Sequence, residues 1–342
     1  MESERQAMTT ATTTSQAIVQ DTYGDDVFRL TQIATPAIAA NEVLVRVHAA
    51  GLDRGTWHMM AGLPYLLRLI GFGLRKPKNR VPGFDVAGTV AATGDAVTRF
   101  AVGDEVFGIA KGSFAEYAGA LESKLARKPS NLSFAQAAVV PVSGLTALQA
   151  LRDAGQVQPG QHVLIIGASG GVGSYAVQLA KAFGAKVTGV CSTAKLDLVR
   201  SLGADEVIDY SREDFATGST RYDLILDLGG NPSLSRLRHV LTATGTAVIV
   251  GGEQGGKVTG GFGRSLRAAA MTPFLKGQRL VMFASKENGE DLQPLTELIE
   301  AGKVTPSIDA TYPLGKVRQA MRHLEAGNAR GKIAVSIISD AA

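Results

Sequence analysis

The alternation of hydrophobic and polar positions changes its period near residue 145. Before that point short apolar runs alternate with polar residues in strand fashion from residue 17 onward. Glu42-Val-Leu-Val-Arg-Val-His48 is the clearest of them. Residues 86–91, 104–109, 114–117 and 124–127 follow, punctuated by Gly94-Asp95 and Val102-Gly-Asp104. Many short strands between turn residues predict a compact, mostly β unit of the barrel-like type. Helices are predicted over 134–141 and 144–154. Beyond 145, strand-like runs at 163–167, 186–191, 206–209, 223–227, 246–250 and 279–284 alternate with helical spacing at 172–183, 194–202 and 232–242. That alternation predicts a doubly wound α/β unit, a parallel sheet covered on both faces. A helix at 291–301, a strand at 308–312 and a helix at 315–326 lead to a last strand at 332–338, which is expected to rejoin the first unit. The reading divides the chain into a disordered tail (1–16), a split, mostly β domain (17–144 and 286–342) and an α/β domain (145–285).

Within the second unit, Val163-Leu-Ile-Ile-Gly-Ala-Ser-Gly-Gly-Val-Gly173 passes from a buried strand through a glycine-rich turn into a helix. Backbone N–H groups at such a helix start bind a pyrophosphate. Ala168, Ser169, Gly170, Gly171, Val172 and Gly173 are therefore candidate cofactor contacts. Gly229 and Gly251 join them, because they end later parallel strands where a crevice forms. An NAD site places a carboxylate at the end of the second strand. Here that position reads Cys191-Ser-Thr-Ala-Lys195, with no acid before Asp197. Ser192 and Lys195 would accept a 2′-phosphate that an acid would repel, so NADPH is expected. Lys195 also reads as a solvated lysine in the first turn of the next helix.

Composition narrows the class. The chain has 342 residues, 45% hydrophobic and 19% charged, as in ordinary globular proteins with room for two domains. One cysteine, Cys191, excludes an internal disulfide and a multi-cysteine metal site. No run is long enough to span a bilayer. The Thr-rich first 16 residues lack the apolar core of a secretion signal, so a cytoplasmic location is expected. The formal charge of +4 is modest. The basic clusters at 75–80 and 264–279 lack interleaved aromatics, which argues against nucleic-acid binding.

The layout resembles the medium-chain dehydrogenase/reductase superfamily, and most of all its zinc-free quinone oxidoreductase branch. The resemblance rests on Gly51-Leu-Asp53, Val81-Pro-Gly-Phe-Asp-Val-Ala-Gly88, Val102-Gly-Asp-Glu-Val106, Gly112-Ser-Phe-Ala-Glu-Tyr117, Pro141-Val-Ser-Gly-Leu-Thr-Ala147, the 168–173 turn, Gly203-Ala-Asp-Glu-Val-Ile-Asp-Tyr210 and Gly331-Lys332. It implies a Rossmann domain inserted into a GroES-like catalytic domain. Zinc-using members carry Cys where this chain has Asp53, and Gly-His-Glu where it has Gly83-Phe84-Asp85. The five histidines are dispersed, so no metal is expected. The resemblance implies hydride delivery to a hydrophobic acceptor, a quinone or an α,β-unsaturated carbonyl.

Zinc-free relatives usually offer Asn and then an aromatic where this chain has Asp53 and His58, which are the candidate catalytic residues. Asp53 reads either as a ribose or His58 contact or as a turn-former. His58 reads as a proton donor near neutrality or as a pocket wall. Thr146 and Tyr210 match family contacts near the nicotinamide and the 2′-phosphate. Lys332 is placed to reach the cofactor phosphates or simply to start a strand. Residues 63–78 and 255–278 read as a lid, a membrane-surface element or a subunit contact. Pairing of edge strand 279–284 implies a homodimer. Two rival readings stay open: an enoyl-thioester reductase, and a cofactor-binding protein whose main role is partner or RNA binding.

Overall fold

The computed structural model describes residues 14–24, 26–230, 232–252 and 256–338. Strand β1 (Thr14–Val19) pairs antiparallel with β2 (Arg29–Ala34). Residues 14–16, expected in the tail, belong to β1. Ser15 and Ala17 turn inward, and the Gln16 N–H donates to Glu116 Oε2 at 2.8 Å. Residues 1–13 of the expected tail lie outside the described residues.

Strands β3 (Glu42–Leu52), β4 (Asp85–Thr93), β5 (Glu105–Ile109), β6 (Tyr117–Leu121) and β7 (Leu125–Arg127) follow. On β3, Val43, Val45 and Val47 are fully buried at alternate positions against Val86, Val90 and Val106. That period-2 burial is what the sequence pattern encodes.

The second sheet consists of β8 (His162–Ile166), β9 (Lys186–Cys191), β10 (Glu206–Asp209), β11 (Tyr222–Asp227), β12 (Leu241–Ile249) and β13 (Arg279–Met282). It is wholly parallel, in the order β10-β9-β8-β11-β12-β13. This is the Rossmann winding, with its switch point between β8 and β11. Val163 and Ile165 pack into one apolar cluster with Tyr175 and Leu179 of the helix Gly171–Ala182. Leu164 and Ile166 pack into the opposite one with Leu237 and Val240 of the helix Leu234–Val240. One strand thus serves two layers, which is why its sequence is an unbroken apolar run.

After β13 the chain forms the helix Leu292–Glu300, then β14 (Ile308–Pro313) and β15 (Lys332–Ser336). β15 lies antiparallel to β3 in the seven-stranded first sheet. The fold is therefore a Rossmann sheet inserted into a GroES-like β domain.

Candidate functional site

A cleft of about 730 Å³ opens at the C-terminal ends of β8, β11 and β12. Its floor is the glycine turn after β8. The helix Gly171–Ala182 starts there with Gly170 at its N-cap and no side chain capping it, so its first N–H groups are left for a ligand. Gly173 is forced by packing: a Cβ there would lie 2.2 Å from the carbonyl oxygen of Gly167. Gly251 is pressed likewise, with a Cβ 1.9 Å from the Leu228 oxygen. A Cβ on Gly170 would meet only the Gly167 oxygen, at 3.4 Å. Its lack of a side chain therefore serves space above the turn, not packing below it. An uncapped helix start over a cradle without side chains fits a dinucleotide pyrophosphate.

Ser169, Gly170, Gly171, Val172, Gly173, Gly229, Gly251, Thr146, Lys195 and His58 all line this cleft. Thr146 Oγ1 donates to the Val142 carbonyl at 2.6 Å, which leaves its lone pairs as acceptors. Lys195 Nζ donates to the carbonyls of Gly327 (2.7 Å) and Ala329 (2.8 Å), and one of its three protons remains for a phosphate. Burial holds its pKa below the ordinary lysine value. Arg330 adds a second clasp, to the Ala194 carbonyl at 2.5 Å and Asp197 at 2.6 Å. Both clasps close the cleft between the two parts of the chain. His58 sits in the helix Arg54–Ala61, and its Nδ1 lies 2.7 Å from the Leu63 carbonyl. A carbonyl only accepts, so Nδ1 carries a proton and Nε2 is the atom left for substrate.

Five expected residues lie outside the cleft lining. Ala168 is fully buried behind the turn, its methyl against Gly189, where an added Cβ would lie 3.1 Å from it. Ser192 stands at the end of β9, its carbonyl accepting from Lys195 N–H. Tyr210 is 64% exposed beside that strand end, its N–H bonded to the Cys191 carbonyl. Asp53 is the N-cap of the helix Arg54–Ala61, accepting from Thr56 N–H at 2.7 Å. That bond is the turn-former's contact; the other oxygen, Oδ2, is buried and makes no hydrogen bond.

Lys332, read either as a phosphate contact or as a strand-start lysine, opens β15. Its side chain is 2% exposed, is not part of the cleft lining, and runs beneath Gly171 of the glycine turn to a buried polar node. Nζ lies 3.3 Å from Asp85 Oδ2 and 3.0 Å from Ser143 Oγ. Asp85 Oδ1 accepts from Val142 N–H at 2.8 Å and so anchors the helix Pro141–Gln149, which links the two domains. Burial pushes the Asp85 carboxyl up to about 7; Lys332 pulls it down, and the nearby Asp53 charge pushes it further up. The anion is withdrawn from solvent on every side, so its partner must be buried too.

Other groups had no signal in the sequence. Arg264 Nη2 reaches Asp227 Oδ2 at 2.5 Å and the Pro232 carbonyl at 2.7 Å, beneath the Gly229 rim. Burial raises the Asp227 pKa against the pull of Arg264. The two residues are 37 positions apart, so nothing local announces the pair. Asp209, at the end of β10, is bound by the hydroxyls of Thr193 and Ser211, which lower its pKa. Their partnership depends on β10 lying beside β9.

The donor set does not suit zinc. Among the described residues no three of His, Cys, Asp and Glu gather. Asp85, the acid nearest such a position, already holds an ammonium.

Comparison with known proteins agrees with this geometry. Residues 39–130 match the model for an alcohol dehydrogenase GroES-like domain, and residues 202–335 match that for a zinc-binding dehydrogenase. A 2-methylene-furan-3-one reductase of Solanum lycopersicum is 37% identical over 330 residues, covering 92% of this chain and 76% of the relative. An NADPH-dependent alkenal/one oxidoreductase of Arabidopsis thaliana is 36% identical, covering 93% and 78%. The structure of the quinone oxidoreductase from Coxiella burnetii superposes with a TM-score of 0.82 at 30% identity, covering 95% of this chain and all of that one. With a Rossmann sheet set into a GroES-like domain and relatives of this closeness over nearly its whole length, the chain belongs to the quinone and alkenal oxidoreductases of the medium-chain dehydrogenase/reductase superfamily.

Proposed function

We propose that this chain is an NADPH-dependent, metal-independent reductase of quinones or α,β-unsaturated carbonyls. The observation that carries the reading is one cleft holding both an uncapped glycine turn and His58. NADPH, when bound, supplies the hydride. The turn holds the pyrophosphate, Lys195 and Ser192 meet the 2′-phosphate, and Thr146 accepts a hydrogen bond at the nicotinamide end. His58, as imidazolium, donates its Nε2 proton to the acceptor as charge develops there; Leu63 fixes the ring for that transfer. Asp53 holds the helix that carries His58, as a positioning residue. Names of relatives support the cofactor and the substrate class.

The deciding experiment is oxidation of NADPH against NADH over an ortho-quinone, a para-quinone, a simple enone, an enoyl-CoA and a ketone. Turnover of quinone or enone with NADPH sustains the reading. Preference for enoyl-CoA favours the enoyl-thioester reductase, for which Arg75, Lys76 and Lys78 would meet the carrier. NADPH binding without turnover of any acceptor favours the non-catalytic rival.

Two substitutions probe the assignments. Lys195→Glu is expected to raise the Kd for NADPH by more than about tenfold while changing that for NADH far less, since it sets a carboxylate against the 2′-phosphate. Equal losses, read by fluorescence titration, would remove Lys195 from that contact. His58→Asn is expected to lower kcat with an enone by about 100-fold, the lower range for a lost general acid. A loss below about tenfold would assign the proton to water and the ring to the wall.

The domain limits 17–144 with 286–342, and 145–285, stand as part of this proposal. So does a homodimer, which the exposed edge position of β13 supports; sedimentation measures it. A cytoplasmic location is assigned on the sequence reading, and fractionation tests it. Among the described residues no helix is long and apolar enough to cross a membrane.

A further inference from the structure

Residues 54–84 and 256–286 contain six lysines and arginines each and no aspartate or glutamate. The chain as a whole carries only +4. These stretches, one from each domain, are joined in space. Tyr65 N–H donates to the Lys257 carbonyl at 2.8 Å, and Leu66 N–H to that of Val258 at 3.0 Å. A Cβ on Gly260 would lie 2.8 Å from Pro64 Cγ. The joined segments begin at the cleft: Leu63 holds His58, and Gly261 packs on the cleft-lining Gly252.

Their outer side is apolar. Leu69, Ile70 and Leu74 are 68, 64 and 65% exposed on the first segment. On the second, Val258 is 64%, Leu266 60% and Phe274 85% exposed. In the helix Phe262–Met271 the inward side is Ala268, with Met271 packed near it. Phe262, Leu266, Ala269 and Ala270 form an exposed stripe at helical spacing, which Pro273 and Phe274 extend. Scattered exposed apolar residues need no explanation, but two joined segments of them do.

We infer that this face docks on an anionic lipid surface. Arg80 and Arg264 are spent on Asp21 and Asp227, but Arg75, Lys76, Lys78, Lys257, Arg267 and Lys276 are exposed; apolar side chains flanked by these cations match a bilayer interface with acidic headgroups. A second copy of the chain fits less well, because two-fold pairing of this face would bring its cations against each other. Docking sets the cleft mouth at the boundary where a hydrophobic acceptor dissolves.

The experiment is flotation of the full chain with phosphatidylcholine vesicles, with and without a quarter of phosphatidylglycerol. Binding is expected only with the anionic lipid and is expected to fall with salt. Lys76→Glu with Lys78→Glu is expected to reduce partitioning at least about 25-fold, at roughly fivefold for each cation lost. Leu266→Ser with Phe274→Ser is expected to reduce it as well, while NADPH binding and Tm, read in parallel, stay unchanged because these side chains are exposed. Absence of vesicle binding by the wild-type chain would overturn the inference. So would binding that survives the apolar substitutions, or a dimer that the same substitutions dissociate, which would make the face a subunit interface.

Discussion

Replacement of Lys332 by methionine is expected to cost about 1 kcal/mol of stability at pH 8, with the loss growing by about 1.4 kcal/mol per further pH unit toward the range of about 3–5 kcal/mol for breaking a buried ion pair from one side. The substitution keeps the apolar stem under Gly171 but leaves the Asp85 carboxyl, fully buried, without its ammonium. The loss is expected to depend on pH with a definite sign. In the native chain the folded-state pKa of Asp85 is raised to about 7, above its ordinary value of 3.8. Its contribution to stability is therefore full below pH 3.8 and declines as pH rises through about 7. Without Lys332 the carboxyl titrates higher still, so the decline continues to more alkaline pH. The variant should lie close to wild type at pH 5 and fall away from it between pH 7 and 9. Denaturant unfolding at several pH values measures this. Adding Asp85→Leu to Lys332→Met is expected to recover most of the loss, because a buried pair replaced by apolar groups is often neutral. A Lys332→Met variant equally destabilised at pH 5 and pH 8 would show that packing, not charge, sets its role.

Gly173→Ala is expected to lower the stability of the cofactor-free chain by about 1–3 kcal/mol and to weaken NADPH binding by at least about 100-fold. The added methyl would lie 2.2 Å from the Gly167 oxygen and 2.7 Å from the Ala168 carbonyl carbon, both backbone atoms of the turn itself. Only a retreat of the helix Gly171–Ala182 from β8 relieves that contact, and the retreat takes the phosphate-binding N–H groups with it. Gly170→Ala is the control. Its Cβ makes ordinary contact with the protein, so stability should hold while affinity falls through the space lost above the turn. An unchanged Tm for Gly173→Ala would mean that the turn yields without moving the helix.

Much of this molecule is legible along the chain. The change from period-2 to strand–helix alternation near residue 145 divides the two sheets. The 163–173 run identifies the first Rossmann unit, because a strand buried on both faces must be continuously apolar and the helix after it must start on glycine. Ser169 to Gly173, Gly229 and Gly251 follow from the same logic, since parallel strand ends converge at the switch point. These features are local, and a window of ten or twenty residues contains their physics.

Lys332 shows where that window fails. A lysine opening a strand beside a phosphate site reads equally as a phosphate ligand or as a plain strand-start residue. Its direction is set by Asp85, 247 positions away, and by Ser143 on the linking helix. Asp53 was ambiguous for the same reason: a cap and a cofactor ligand use the same carboxylate. Arg264 with Asp227, Lys195 with Gly327 and Ala329, and Tyr65 with Lys257 each join segments that the chain keeps far apart.

By itself, then, the sequence determined the two-sheet architecture and the glycine cradle, because periodic burial and the absence of a Cβ are properties of neighbouring residues. Only the tertiary structure decided which charged groups face the cleft and which are spent beneath it. The pairing of a buried charge depends on what the fold brings within about 3 Å, and no spacing along the chain encodes that distance.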